Sequence, residues 1–357
     1  MSLRIRQRTE PIRRKGLVTA LLAVGFALLA GALVFISQGV APVHAYQVMI
    51  SGALGSMNGL AEVGVKMIPL TLTGLSVALA ATMLLWNIGA EGQFVWGAIG
   101  AGWGALYLSP HLPTSLVLPA CLLLGAAAGA MWAMIPAALK VQYGVSEILT
   151  TLLLNYVAII FMEHLYFGPW RDPMGFGFPG TPIFPDAAWL PRLGRTRLHM
   201  GALVAVLATV CLHYLLSKTK WGYGIRVTGH SPRAARYGGI NATRQTFTVM
   251  ALAGALAGLA GMGEVCGIHY VIREGINPGY GYDGIIVACL AGLRPALVPA
   301  YAAVLGTFLI GADRLQSVMQ LPSSIGLVLE GSLLLGLLAA EAVTRYTISF
   351  GKEDDHA

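Results

Sequence analysis

Charge is what this sequence has least of. Only 11% of its 357 residues are Asp, Glu, Lys or Arg, whereas 56% are hydrophobic, and the mean hydropathy is +0.70. So little charge cannot cover a water-facing surface, which excludes an ordinary soluble domain. Cysteine is also sparse: Cys121, Cys211, Cys266 and Cys289 stand singly in apolar stretches. With no CxxC and no Cys/His cluster, neither a disulfide framework nor a metal site is indicated. There is no Gly-x-x-x-x-Gly-Lys-Ser/Thr loop to cradle nucleotide phosphates. Nor does His-x-x-x-His, a pair of catalytic aspartates or Gly-x-Ser-x-Gly lie within an apolar run. Gly144-Val145-Ser146 comes nearest, and Glu147-Ile148 breaks it. Those absences argue against an intramembrane enzyme.

What is abundant is long apolar runs. They recur at about twenty residues, the length of a helix crossing a hydrocarbon core of roughly 30 Å. Backbone amides in lipid must be satisfied within the segment, so each run is predicted to be a helix. The predicted fold is an all-α polytopic membrane protein of about ten spans: 17–37, 61–84, 88–108, 115–138, 146–167, 199–217, 246–268, 279–293, 296–313 and 320–343. The eighth is short, and segment 43–60 reads as a re-entrant or interfacial helix. Val43-His44-Ala45 resembles a signal-peptidase site, but the run before it exceeds the 7–15 residues of a signal h-region, so a retained first span is expected.

The net charge of +7 sits in short loops beside the spans, where orientation signals belong, and does not call for nucleic acid. Sixteen lysines and arginines fall on one side of the ten-span pattern and seven on the other, which predicts both termini inside. The organisation is then a basic cytoplasmic tail (1–16), a transmembrane domain (17–345) and a second cytoplasmic tail (346–357). An outer loop at 168–198 is rich in proline and tryptophan and suits a structured cap, a docking surface or a passive connector. An inner loop at 218–245 is basic.

Two segments break their spans in matching places. Asn87-Ile88-Gly89-Ala90-Glu91-Gly92-Gln93 opens the third, and Pro278-Gly279-Tyr280-Gly281-Tyr282-Asp283-Gly284 opens the eighth. Both contain Gly-x-acid-Gly. A carboxylate at mid-membrane costs about 2.5–3.5 kcal/mol on insertion scales, and glycine and proline weaken a helix further. Under the predicted topology spans 2–5 and 7–10 are inverted repeats whose broken elements meet near the midplane, where transporters of this construction hold solute. The plainer alternative puts Glu91 and Asp283 at helix ends among the headgroups. Asn155 and Glu264 are further cavity candidates, since intramembrane polar groups face a partner or a path. Small-residue pairs Gly100/Gly104, Gly125/Gly129 and Gly254/Gly258 predict close helix packing.

In the inner loop, Ser231 is a good N-cap, Pro232 fits the first helical position, and Gly238-Gly239 supplies a stop, so Pro232 to Tyr237 should form a short helix. An amphipathic turn resting on anionic lipid is the alternative. Together with the two broken segments and the run Ala253-Gly254-Ala255-Leu256-Ala257-Gly258-Leu259-Ala260-Gly261, this segment resembles the permeases of ABC importers of the ribose and nucleoside branch. The first motif and Glu147–Tyr156 look closest to nucleoside permeases.

The resemblance spans about residues 17–343. It implies that Ser231, Pro232, Ala234, Ala235, Tyr237, Gly238 and Gly239 form the element that docks on a separate ATPase subunit, which would hold ATP and Mg. It further implies a second permease, identical or paralogous, and an external or lipoprotein solute-binding protein, in a bacterial inner membrane. The path for nucleosides or related simple sugars would run beside Asn87, Glu91, Asn155, Glu264, Tyr282 and Asp283. An ion-coupled secondary transporter of a small polar solute is the competing reading.

Overall fold

The computed structural model describes residues 2–7 and 15–351. Among them, eight helices are long and apolar enough to cross a membrane. They coincide with eight of the ten predicted spans. The third and eighth are shorter broken elements: Ala90–Trp103 extended by one π-helical turn at Gly104–Leu108, and Tyr280–Leu290. The described strands are one antiparallel pair, Ser2–Gln7 (β1) with Tyr346–Gly351 (β2), so the two tails lie side by side. Arg8, Arg13, Arg14 and residues 352–357 fall outside the described residues.

The chain divides into two compact units. The first holds residues 1–56, 290–292 and 307–357. Here α1 (Lys15–Ser37) packs along α13 (Ser324–Arg345), and α2 (Pro42–Leu54) brings Ala45 and Met49 against Phe35, Leu315, Leu321, Ile325 and Leu329. At 13 residues α2 is too short to span, and the last residues of segment 43–60 already belong to the next helix, Met57–Ala81.

The second unit holds residues 57–289 and 293–306. Its helices are α3 (Met57–Ala81), α4 (Ala90–Trp103), α5 (Thr114–Tyr143), α6 (Glu147–Phe167), α7 (Gly201–Lys218), α8 (Lys220–His230), α9 (Pro232–Tyr237), α10 (Ala242–Glu264, with a π turn to His269) and α11 (Tyr280–Leu290), followed by the start of α12 (Val298–Met319). α3 and α10 are buried over most of their length, whereas α5, α6 and α7 turn leucine and valine outward, as lipid-facing helices do.

Glycine sets the spacing at the centre of this unit. A Cβ on Gly254 would lie 2.5 Å from the Ala133 Cβ and against the Gly129 carbonyl; one on Gly258 would strike the Gly125 carbonyl. On the other side of α10, Gly97 meets Gly258 and Gly261 meets the Phe94 carbonyl. Two of the three predicted small-residue pairs therefore clasp each other, α5 running antiparallel to α10 and α4 parallel to it.

Candidate functional site

α3 ends at Ala81 because Leu84 turns to φ +56°, and the chain runs on through Asn87 to a new helix at Ala90. α10 ends in the same manner at Tyr270, φ +57°, and the chain resumes a helix at Tyr280. α4 and α11 thus begin inside the unit, and their first turns touch. A Cβ on Gly281 would collide with the backbone of Ala90 and Glu91, so only glycine allows this approach.

Glu91 is 2% exposed, and its Oε2 accepts the Gly281 N–H at 2.6 Å. The Asn277 side chain and the Tyr282 N–H also stand close to it. The carboxylate of one broken helix therefore caps the other, where unpaired N–H groups and the helix dipole favour negative charge. Asn155, on α6, ties the same node: its Oδ1 accepts Gly92 N–H at 2.9 Å, and its Nδ2 donates to Ile88 O at 2.9 Å and to the Tyr282 hydroxyl at 3.2 Å. Asn87 and Gln93 exchange two amide bonds of 2.8 Å, and Asn87 also donates to Ser76 Oγ at 3.1 Å. Thr73 donates to Tyr280 O at 2.9 Å, and Lys66 Nζ donates to the Tyr280 hydroxyl at 2.9 Å. Asp283 is buried in the first turn of α11.

Five of the six residues expected on the path, Asn87, Glu91, Asn155, Tyr282 and Asp283, are thus brought together. The sixth is placed elsewhere. Glu264 lies at the end of α10, one turn past the level of Phe94, and its Oε2 faces His269 Nε2 at 3.5 Å. Ser76, Thr73, Gln93 and Asn277 escaped the sequence reading. Gln93 closes the first motif and Asn277 precedes the second, so those two carried a signal; Thr73 and Ser76 carried none. Glu147, at the start of α6, pairs with Lys140 at 2.5 Å instead of lining the node.

At one end of this unit the 168–198 segment folds into a cap over the end of α10. Thr181 N–H donates to Ile272 O at 2.9 Å, Phe184 N–H to Tyr270 O at 2.8 Å and Leu190 N–H to Cys266 O at 2.8 Å. Trp189 packs on Tyr270 with ring centroids 4.3 Å apart, and a cavity of about 430 Å³ opens between Asp172, Trp189, His269 and Arg273. His199 is buried against Gly201 and Gly267; burial, with Arg192 nearby, lowers its pKa to about 4.

At the other end of α7, α9 is the helix predicted. Ser231 Oγ accepts Ala234 N–H at 3.2 Å, Pro232 holds the first position, and Gly238 is followed by Gly239 at φ +72°. Ala234 is exposed and Tyr237 is 95% exposed. Ala235, expected on the docking face, is instead fully buried and anchors α9. α8 was read as loop. It packs against α7 through Gly222, and its Gly229 sits against Met83 in the turn leading to Asn87.

The family described as branched-chain amino acid transport system / permease component matches residues 59–338. The chain is 34% identical to the glucose ABC transporter permease protein TsgB13 of Haloferax volcanii, over 92% of this chain and 89% of that one. It is 32% identical to the guanosine ABC transporter permease protein NupP of Bacillus subtilis, over 88% and 90%. With the nucleoside ABC transporter permease protein NupB of Lactococcus lactis subsp. cremoris the identity is 33% over 79% of each. Matched over most of its length, this chain belongs to the branched-chain amino acid transport system / permease component family and is, like these relatives, a multi-pass ABC transporter permease.

Proposed function

We propose that the chain forms the translocation path of an ATP-driven importer for nucleosides or related simple sugars, in a bacterial inner membrane with both termini in the cytoplasm. The observation that carries this is the polar node where α4 and α11 begin against each other, the arrangement in which transporters hold solute. A second permease would complete the path. A separate ATPase subunit, holding ATP and Mg, would grip α9 through Ala234 and Tyr237. A solute-binding protein, external or lipid-anchored, would meet the cap at 168–198, whose Phe176 and Phe178 are exposed.

The ion-coupled reading gains no support from the relatives, and it gives the exposed α9 no task. The contact of α8 with the turn after α3 supplies a mechanical link: movement of α9 is passed by Gly229 to Met83 and so to Asn87 and the start of α4. ATP binding would then favour one arrangement of the node through differential affinity for the two states.

Tyr237→Cys in a cysteine-free background should react with a membrane-impermeant maleimide only after the cells are permeabilised. Tyr237→Ala combined with Ala234→Asp should cut uptake by the reconstituted complex about tenfold or more, since interface anchors dominate binding energy. Labelling of Tyr237→Cys in intact cells, or uptake by the purified chain without an ATPase, overturns the reading.

A further inference from the structure

Beside the polar node stands a column of aromatic rings that the assignments above do not use. Trp96 on α4 stacks on Trp132 of α5 with centroids 4.7 Å apart and planes 25° apart. Trp96 also stacks on Phe161 of α6 at 5.2 Å and 11°. Offset, near-parallel stacking is a favoured aromatic geometry, and here it joins three helices.

Two further facts separate this column from ordinary packing. The indole Nε1 groups of Trp96 and Trp132 are both buried and neither has a hydrogen-bond partner. A buried indole N–H normally finds an acceptor, and an orphaned one calls for an explanation. The column also adjoins the node directly: a Cβ on Gly92 would lie 2.9 Å from Asn155 Oδ1 and 3.0 Å from Trp132 Nε1. Phe161 is 39% exposed on α6.

Resting on the permease reading above, we propose that Trp96, Trp132 and Phe161 are the base-recognising element of the path and make the preferred solute a nucleoside rather than a free sugar. A planar heteroaromatic ring continues the column by stacking, an interaction every base can make. As the helices part, the two indole N–H groups donate to ring nitrogens or carbonyl oxygens of the base, while Asn155 and Tyr282 serve the ribose hydroxyls. A free pentose has no extended π-face and gains less from such a wall.

The test uses the complete reconstituted complex and compares uptake of guanosine and uridine, deaza analogues of guanosine lacking one ring acceptor each, and ribose. Trp96→Phe and Trp132→Phe keep an aromatic face for stacking and remove one donor apiece. Wild-type protein should favour guanosine over at least one deaza analogue. One of the Phe variants should erase that preference, with nucleoside uptake falling about tenfold, the scale of one lost hydrogen bond in a dry site. Trp132→Ala should lose nucleoside uptake further. A uniform fall for all solutes with an unchanged guanosine-to-deaza ratio assigns the column a structural role and overturns the proposal, as does unchanged uptake in both Phe variants. Wild-type complex that carries ribose but no nucleoside overturns it while leaving the permease reading intact, whereas wild-type complex that carries neither defeats that reading itself.

Discussion

Gly258→Val should leave almost no folded protein. Gly258 is gripped from both sides, by the Gly125 carbonyl and Gly129 of α5 and by Gly97 of α4. A branched side chain there forces two helices apart at once. Overpacking a well-filled core typically costs 1–3 kcal/mol, and backbone collisions that no rotamer relieves should exceed about 3 kcal/mol. Association of helices in lipid depends on close van der Waals contact, so nothing compensates for the separation. The expected result is loss of the monodisperse peak in detergent size-exclusion chromatography and no uptake. Gly331→Ala on α13, where nothing lies within 4 Å of the added methyl, is the control and should match wild type or melt slightly higher. Equal melting temperatures for Gly258→Val and wild type would remove the interlocked-glycine account.

Glu91→Ala comes second in size. The substitution removes the acceptor of the 2.6 Å bond from Gly281 and strands the first N–H groups of α11 in an apolar interior. Leaving such donors unpaired costs about 1–3 kcal/mol, and more where the lost partner was charged. Because the two broken helices are held together by this group, uptake should fall by roughly a hundredfold, while Glu91→Gln, which keeps a side-chain acceptor, should retain several-fold more activity. Asp283→Ala should also reduce uptake. If the Glu91 and Asp283 alanine variants assembled and transported as wild type does, the node would have no part in the path.

Features written in local sequence were legible before the structure. Eight spans follow from apolar length alone, and Ser231, Pro232 and Gly238-Gly239 bound α9 because capping is decided by immediate neighbours. The Gly-x-acid-Gly segments marked both broken helices. What could not be read was partnership across distance. Glu91 and Gly281 are 190 residues apart, and no local pattern says that one caps the other. Glu264 is a path candidate by its place in a span, and the sequence gives no sign that it faces His269, five residues on. α8 falls in the expected basic loop, where Gly222, Gly224 and Gly229 disfavour a helix, yet Gly222 lets it seat against α7 and Gly229 against Met83. Ala235 looked like a contact for a partner, but a six-residue helix needs one residue to anchor it to its own chain.

The reciprocal bonding of Asn87, Gln93, Asn155, Tyr282 and Glu91 bears on leakage. Each of these groups is hydrogen-bonded to another part of the same node, so a solute on the proposed path would have to displace internal partners. In a low-dielectric interior every interrupted bond leaves two strongly polar ends exposed. On the proposed path, an idle permease would be insulated by its own side chains, with solutes and ions held back until external work loosens them.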